Sequence, residues 1–356
     1  MAFVMRGDWQ EEPLSITAAE YVEPSAEMTL RRGQRVSHLF PRSVMEEYVL
    51  QRLTERTYWF SRHFYCTLFY VGNRGVLLLD PPQGAADSLL KAIGSVTSLP
   101  VAAICYSHFH ADHIGGARKL VTSLAASPRV IASEHTAVWM ERFGSDLPRP
   151  GHAPDHAVFL LAEERIGHSA DLINIDQLPF GGFAGQDPLV LFKPNLQFAR
   201  DLEFDWFSGG HGNIGEKSDF DFYLGYLDEV TELINEEIPR PETVPDLYLT
   251  DYLSGLGAEE RGQLLAELNN HFSLYLYGRQ IAAGEKPDRS AAGPGAFSAG
   301  LVGEWAAGRQ RAVDEAVPRI MDRLRPKYGR MYNFEDAQPI NIRVLASSMQ
   351  PSLTNR

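Results

Sequence analysis

Between residues 64 and 238, the hydrophobic positions of the chain alternate between short continuous runs and helix-like spacing. Short apolar runs bounded by turn-forming residues predict strands, whereas apolar positions three and four residues apart predict helices. The predicted strands cover residues 64–71, 75–80, 101–106 and 130–132. The predicted helices cover residues 85–93, 117–124, 136–142 and 220–238. This order of elements is typical of an α/β fold in which helices cover a sheet.

The two ends of the chain lack this regular alternation. The first part contains prolines and no recognisable motif, and we expect it to form an opening hairpin or to wrap a neighbouring segment. The last part predicts helices over residues 259–283 and 301–324, a flexible connection over 286–300 and a final strand over 340–345. We therefore divide the chain into an N-terminal extension, a central domain and a mainly helical C-terminal extension: residues 1–50, 51–238 and 239–356.

Composition and charge narrow the class of protein. Of the 356 residues, 44% are hydrophobic, which is enough to bury a large core. The sequence has no apolar run of 18 residues and its start lacks the features of a signal peptide, so we expect a cytoplasmic protein without a membrane partner. Cys66 and Cys105 lie in apolar runs, which favours buried thiols over a disulfide. The net charge of −13 and the lack of a basic stripe argue against a nucleic acid as partner.

A cluster of potential metal ligands directly follows the strand predicted at 101–106. Residues 107–116 read Ser-His-Phe-His-Ala-Asp-His-Ile-Gly-Gly. In an extended segment, the imidazoles of His108 and His110 can face one ion together. Asp112 and His113 follow where the chain turns, and they can face a second ion close by. Imidazole nitrogen and carboxylate oxygen, without a thiolate, are the donors that zinc accepts in catalytic sites.

This pattern, HxHxDH followed by two glycines, resembles the signature of the metallo-β-lactamase superfamily. Three later segments are similar to the family's remaining ligand motifs and come in the family's order: residues 151–156 around His152, 165–172 around Asp171 and 208–212 around His211. One departure is Ala170, at a position where glycine is commoner in the family. The resemblance covers residues 60–238 and implies a four-layer αββα sandwich for a catalytic central domain.

Carried over residue by residue, the resemblance implies a binuclear metal centre. His108, His110 and His152 would bind the first ion, and Asp112, His113 and His211 would bind the second. Asp171 and a hydroxide would bridge the two ions. Such a pair of ions ionises water near neutral pH and polarises the bond under attack. Asp112 would also orient the hydroxide and carry its proton to the leaving group.

Some polar residues near these motifs compete with the ligands or support them. His156 lies four residues after His152, but the family normally uses the first histidine of such a string. His168 lies three residues before Asp171, where strand alternation favours a supporting or surface position over ligation. The resemblance implies that Asp80 supports the metal loop. The other histidines are expected to be ordinary surface or core residues: His38, His63, His135 and His271.

The full ligand set implies a zinc-dependent hydrolase with two ions, with iron or manganese as alternative metals. Its substrate would be a lactone, ester, thioester or cyclic amide. Two alternatives within the superfamily are a sulfur oxygenase with one iron and a di-iron protein that reduces oxygen or nitric oxide, although the intact His110 argues against the latter. An alternative of another class is a non-catalytic binding scaffold, which would be expected to have lost ligands.

Aromatic segments bear on the substrate, which we expect to be a small and partly apolar molecule. Tyr58-Trp59-Phe60 either stacks on this substrate or belongs to the core. The aromatic stripe at 271–277 is expected to belong to the core or to a dimer interface. The alternative is that it lines an apolar pocket above the metals. Residues 177–188, rich in Gly and Phe, are predicted to form a mobile loop beside the site. A homodimer is compatible with the appended helices.

Overall fold

A computed structural model describes residues 18–143, 155–185, 188–238, 255–260, 284 and 299–349. The chain forms two compact units. The first consists of Met1–Asp228 with Lys327–Asn341, and the second of Glu229–Pro326 with Ile342–Arg356. Among the described residues, no helix is both long and apolar enough to cross a membrane.

The described strands and helices are numbered separately in chain order. The strands are β1 Glu20–Val22, β2 Gln34–Val36, β3 Val49–Arg52, β4 Thr57–Arg62, β5 Tyr65–Val71, β6 Val76–Leu79, β7 Val101–Tyr106, β8 Arg129–Ala132, β9 Phe159–Leu161, β10 Ile166–His168, β11 Trp206–Ser208 and β12 Ile214–Gly215. The helices are α1 Leu39–Met45, α2 Ala86–Val96, α3 Ala111–Ile114, α4 Gly116–Ser123, α5 Glu134–Phe143, α6 Lys193–Asp201, α7 Lys217–Glu237, α8 Ala299–Tyr328 and α9 Phe334–Ser348.

Two main sheets lie in the first unit. A six-stranded sheet has the order β3-β4-β5-β6-β7-β8 and a four-stranded sheet has the order β12-β11-β10-β9. Strand β5 runs antiparallel to β6, whereas β6 and β7 are parallel. In the smaller sheet, β10 and β11 are parallel. The ends of β6 and β7 and the start of β5 therefore share one edge of the larger sheet, and the ends of β10 and β11 share one edge of the smaller sheet.

Alternation along the strands builds two apolar cores. Along β4, Trp59 and Phe60 are both fully buried, but they belong to different clusters because successive side chains point to opposite faces. The cluster of Phe60 includes Leu89 of α2 and Leu120 of α4. The cluster of Trp59 includes Ile166 and Trp206 from the smaller sheet. The α/β fold is thereby confirmed, while the four-layer arrangement and the division at residues 50 and 238 stay predictions.

One local prediction at the C-terminal end was wrong, and one of the two alternatives for the opening segment is not seen in its described part. In residues 18–50, strands β1 and β2 pair in parallel and therefore do not form a hairpin with each other. Residues 340–345 belong to helix α9 instead of a strand. Ile342 and Leu345 are buried there while Ile340 is 48% exposed, a helical rather than an alternating pattern. A run of six residues is too short for its apolar spacing to decide between the two.

The predicted C-terminal helix at 301–324 is confirmed by α8. Pro318 and Pro326 lie inside that helix. The predicted helix at 259–283, the connection at 286–300 and the aromatic stripe at 271–277 lie largely or wholly outside the described residues.

Candidate metal centre

The end of strand β7 carries the first group of candidate ligands. The chain leaves the sheet at Tyr106, and the side chains of His108, His110 and His113 are all buried. His110 keeps an extended backbone directly before the short helix α3, which contains Asp112 and His113. The change from strand to helix turns successive polar side chains toward one region.

The structure brings six of the seven predicted ligands into two clusters. His108, His110 and Asp171 offer ligand atoms that lie within 4.8 Å of one another. Asp112, His113 and His211 form a second cluster by the same criterion. Asp171 also reaches the second cluster, because its Oδ2 lies 3.0 Å from His113 Nε2 and its Oδ1 lies 3.1 Å from His211 Nε2. Its Oδ2 is 3.7 Å from His108 Nε2.

Asp171 and His211 approach each other because they follow neighbouring parallel strands. His168 of β10 pairs with Ser208 of β11, and each candidate ligand comes three residues later. The Asp171 N–H donates to the Gly209 carbonyl over 2.7 Å. Gly210 has a φ of +83°, and a Cβ there would lie 2.7 Å from Ala170 and 3.1 Å from the His113 ring. Glycine is therefore required directly before His211, because the backbone has a positive φ there and a side chain would have no room.

A buried hydrogen-bonded pair lies behind the ligands. Asp80, at the end of β6, accepts from the Ser107 N–H over 2.7 Å, and its other oxygen lies 2.8 Å from His168 Nε2. Ser107 Oγ lies 3.2 Å from His108 Nδ1 and accepts from the Ala170 N–H over 3.3 Å. Asp80 and His168 are both 0% exposed. They therefore connect the loop of His108 to the loop of Asp171, as expected for Asp80, and of the two positions expected for His168 it is the buried supporting one that is observed.

Tyr65 is a site residue that the motifs did not reveal. Its hydroxyl donates to Asp112 Oδ2 over 3.4 Å, and its ring centroid lies 4.6 Å from that of His211. Burial, and then the charges of Asp112 and Asp171, raise the pKa of Tyr65, so the phenol keeps its proton. The antiparallel order of β5 and β6 was the available signal, since it places residue 65 at the edge where Asp80 lies.

The electrostatics of the clusters favour a cation. Burial by itself disfavours the charged form of His113, but Asp171, Asp112 and Asp80 together outweigh burial and raise the pKa of His113 to about 9, with Asp171 contributing most. These carboxylates place enough negative charge near the buried imidazole to raise its pKa. A bound metal ion would balance the same negative charge. Buried imidazoles and carboxylates without a thiolate also match the donor preference of catalytic zinc. The residues present therefore fit a pair of divalent cations.

The third histidine motif is only partly described. His152 lies outside the described residues, so its predicted ligation stays a prediction. His156 is described, and its ring centroid lies 4.8 Å from that of His108 with the rings perpendicular. The next residue ties this segment to the metal loop, because the Ala157 N–H donates to the Ser107 carbonyl over 2.8 Å. The end of the motif thus lies beside the first cluster.

Of the aromatic candidates, one group belongs to the core and another lies at the site. Tyr58, Trp59 and Phe60 are buried in the two apolar clusters, which leaves no surface for stacking on a substrate. Phe180, in the Gly- and Phe-rich loop, has its ring centroid 5.1 Å from that of His211. A cavity of about 10 Å³ beside Asp171, which has room for about one water molecule, is lined by the rings of Phe180, Phe183, Phe192 and Tyr223.

The Gly- and Phe-rich loop is tied down by the segment Lys327–Asn341. The side-chain amides of Gln338 and Asn341 donate to the Pro179 carbonyl over 3.2 and 3.0 Å. The Leu178 N–H donates to the Tyr332 carbonyl over 3.1 Å. Gln338 and Asn341 are 0% exposed, so these bonds are shielded from water. The loop before and after Phe180 is therefore held in place by residues that sequence patterns did not connect to the site.

Comparison with known proteins places the metal loop in a family. Residues 64–149 match the family model of the metallo-beta-lactamase superfamily. Among solved structures, a metallo-beta-lactamase from Pontibacter korlensis is 16% identical, with a TM-score of 0.44 and coverage of 51% of this chain and 99% of that chain. No curated protein is similar enough to match. The matched residues include His108, His110, Asp112 and His113, whereas Asp171 and His211 lie beyond the match.

Proposed function

We propose that this chain, a member of the metallo-beta-lactamase superfamily, is a binuclear metal-dependent hydrolase. The position of Asp171 carries the proposal. One carboxylate lies within 3.7 Å of His108 and within 3.1 Å of His113 and His211, which is the arrangement required of a ligand shared by two ions. A structural histidine cluster would have no need of a shared acidic group in this position.

The candidate ligands would hold the two ions in the following way. His108 and His110 would bind the first ion with His152, Asp112, His113 and His211 would bind the second, and Asp171 would contact both. When bound, the ions supply an ionised water as nucleophile and polarise the bond under attack. We propose zinc as the metal, because imidazole and carboxylate ligands suit it. Iron and manganese accept the same ligands, so a direct assay has to identify the metal.

Asp112 is the residue that we propose for proton transfer. Its side chain is 36% exposed, in contrast to the buried histidines, so it faces the space that a substrate would enter. The Tyr65 hydroxyl keeps its own proton and donates to Asp112 Oδ2, the oxygen that also lies 3.7 Å from His113 Nε2. In this position Asp112 can accept a proton from the attacking water and deliver it to the leaving group.

The surroundings favour a small, partly apolar substrate. Phe180 places an aromatic ring next to His211. The proposed substrates are lactones, esters, thioesters or cyclic amides with an alkyl or aryl group near the bond that is cleaved. The net charge of −13 disfavours a polyanionic substrate such as nucleic acid.

A metal assay with a substrate screen tests the proposal. We expect two zinc ions per purified chain and turnover of at least one lactone, ester, thioester or β-lactam. His110→Ala and Asp112→Ala should each abolish turnover and lower the metal content by at least one ion. Wild-type turnover in either variant would contradict the mechanism, and a single iron per chain would favour a sulfur oxygenase.

The same assay decides which histidine of the third motif binds. His152→Ala should release the first ion, whereas His156→Ala should leave the metal content unchanged. The reverse result would move the ligand to His156, whose ring lies beside that of His108.

A further inference from the structure

The N-terminal segment that contains β2 is bonded to the loop that follows His211. The Val36 N–H donates to Asn213 Oδ1 over 3.1 Å, and Asn213 Nδ2 donates to the Val36 carbonyl over 2.8 Å. The Gly33 N–H donates to Glu216 in the same stretch. Asn213 follows His211 by two residues and is 1% exposed. The backbone on the C-terminal side of His211 is therefore fixed by residues 33–36.

Arg35 forms the centre of a buried charged cluster at this contact. Its guanidinium contacts Asp176 Oδ1 and Asp219 Oδ1, the latter over 2.6 Å. The exposed fraction is 3% for the Arg35 side chain and 1% for each carboxylate. Asp219 also accepts from the Glu216 N–H over 2.8 Å. One cation thus connects the loop that follows Asp171 to the start of helix α7.

The two loops joined by Arg35 also touch each other close to the candidate ligands. Ile175 and Gly212 form a parallel bridge, so the residue before Asp176 lies against the residue after His211. Gly212 has a φ of +74°, and a Cβ there would lie 2.2 Å from the Ile175 carbonyl oxygen. Asp176, which Arg35 contacts, directly follows Ile175 in this tight contact.

If it served only to stabilise the fold, a buried charged cluster of this kind would be unfavourable. Removing three charges from water has a large penalty, and buried ion pairs can often be replaced by apolar residues without loss of stability. Arg35 and its partners lie directly behind the loops of two candidate ligands and outside residues 64–149, which match the family model. Positioning those loops is a role that an apolar contact, which is not directional, would perform poorly.

We propose that Arg35 is a positioning residue for the metal centre, which holds the loop of His211 against the loop of Asp171 so that the second ion is bound tightly. The proposal rests on the binuclear centre proposed above. It makes the N-terminal segment a part of the functional site, although that segment contributes no ligand.

Metal titration of the full-length protein tests this role without knowledge of the substrate. The ions are removed with a chelator, and Co²⁺ is added back while its absorption spectrum reports the number and affinity of bound ions. We expect Arg35→Met to raise the Kd of the second ion, identified as the ion whose binding His211→Ala weakens, by about 10- to 100-fold, the usual effect of losing a partner behind a ligand. The other ion should change by less than about threefold. Arg165→Met, which removes an ion pair whose side chains are 46% and 29% exposed, is the matched control and should change neither.

A double-mutant cycle separates positioning from general loosening. If Arg35 acts through His211, Arg35→Met should change the Kd of the second ion by less than about threefold in a His211→Ala background. Arg35→Lys keeps the charge but lacks the planar fork that contacts two carboxylates. Its Kd for the second ion should therefore lie between those of Arg35→Met and the wild type. If Arg35→Met does not fold, Arg35→Lys decides by the same cycle, with an expected weakening of three- to tenfold.

Three results would overturn the proposal. The first is that a folded Arg35 variant binds both ions with wild-type Kd values. The second is that the substitution weakens the binding of both ions equally. The third is that the Arg35 substitution raises the Kd of the second ion as much in the His211→Ala background as in the wild-type background. A wild-type chain that binds no ion would contradict the binuclear centre itself. A wild-type chain that binds two ions while Arg35→Met also binds them normally would contradict only the role of Arg35.

Discussion

The metal loop at 107–116 and the pair of loops at 169–176 and 209–215 reach the same centre by different means. The metal loop presents four candidate ligands within six residues and is fixed by the end of strand β7. The paired loops contribute Asp171 and His211, and their positions depend on partners that are distant in the sequence. The first region is thus organised locally, whereas the second is organised by buried polar contacts.

This difference shows where the site is most vulnerable to substitution. Ligands that share one short loop retain their spacing as long as β7 is formed. For Asp171 and His211, we expect the spacing to depend on the Asp80–His168 pair and on the Arg35 cluster. We expect supporting residues to matter most around the paired loops, and four predictions test this, from the largest expected effect to the smallest.

The largest effect is expected for Asp171→Ala. This carboxylate is the group that lies near histidines of both clusters, so its loss should weaken both ions by more than about 100-fold, beyond the loss typical of a supporting partner. Metal content measured after dialysis checks the prediction. His110→Ala serves as the comparison and should release mainly one ion. Retention of both ions by Asp171→Ala would show that the metal loop is sufficient alone.

Next in size is Asp80→Ala, which removes the residue shared by both regions. Its carboxylate accepts from Ser107 and pairs with His168 in a fully buried position. Leaving these partners without their acceptor should lower the free energy of unfolding by about 3–5 kcal/mol. Chemical denaturation measures this loss, and Asp80→Asn, which keeps the shape, should cost less. A loss below about 1 kcal/mol in Asp80→Ala would mean that the two regions are not coupled through this residue.

An intermediate and pH-dependent effect is expected for Arg35→Met. Burial raises the pKa of Asp176 and that of Asp219 against the opposing charge of Arg35, and the pKa of Asp219 is about 6 with Arg35 present. Without Arg35 the folded protein should hold these protons more strongly than the unfolded chain, whose aspartates titrate near pH 4. Stability is then lost as the pH rises. The variant should be close to wild type near pH 4 and increasingly less stable through pH 6 to 8.

Thermal or chemical unfolding across this pH range checks the sign of that effect. A deficit in stability that shrinks as the pH rises would contradict the assigned role of the two aspartates. Arg165→Met provides the control, because an exposed pair contributes little at any pH in the range.

The smallest effect is expected for Phe180→Ala, which changes the wall beside His211 without touching a ligand. For a substrate with an alkyl or aryl group near the scissile bond, KM should rise about tenfold, which corresponds to about 1.4 kcal/mol. The KM of an otherwise identical substrate with a methyl group, and the metal content, should not change. Phe198→Ala is the control, since that ring is 64% exposed on helix α6. An equal change for both substrates would remove Phe180 from the selectivity of the site.

The sequence alone determined the local part of this protein. The apolar run at 101–106 followed by HxHxDH fixed the strand and its four candidate ligands, because strand formation and ligand spacing both depend on adjacent residues. The strands at 64–71 and 75–80 and the helix at 220–238 were predicted for the same reason. Short segments such as 340–345 were misjudged, since their apolar spacing fits a helix and a strand equally well.

Tertiary structure alone decided what lies around the ligands. Trp59 became a core residue through the packing of two sheets, and Tyr65 became a neighbour of Asp112 through the antiparallel pairing of β5 with β6. Arg35 reaches Asp176 and Asp219 across more than 140 positions of the chain, and Gln338 reaches Pro179 across 159. Contacts at such separations leave no periodic trace in the sequence, because they depend on how complete elements pack and not on the preferences of neighbouring residues.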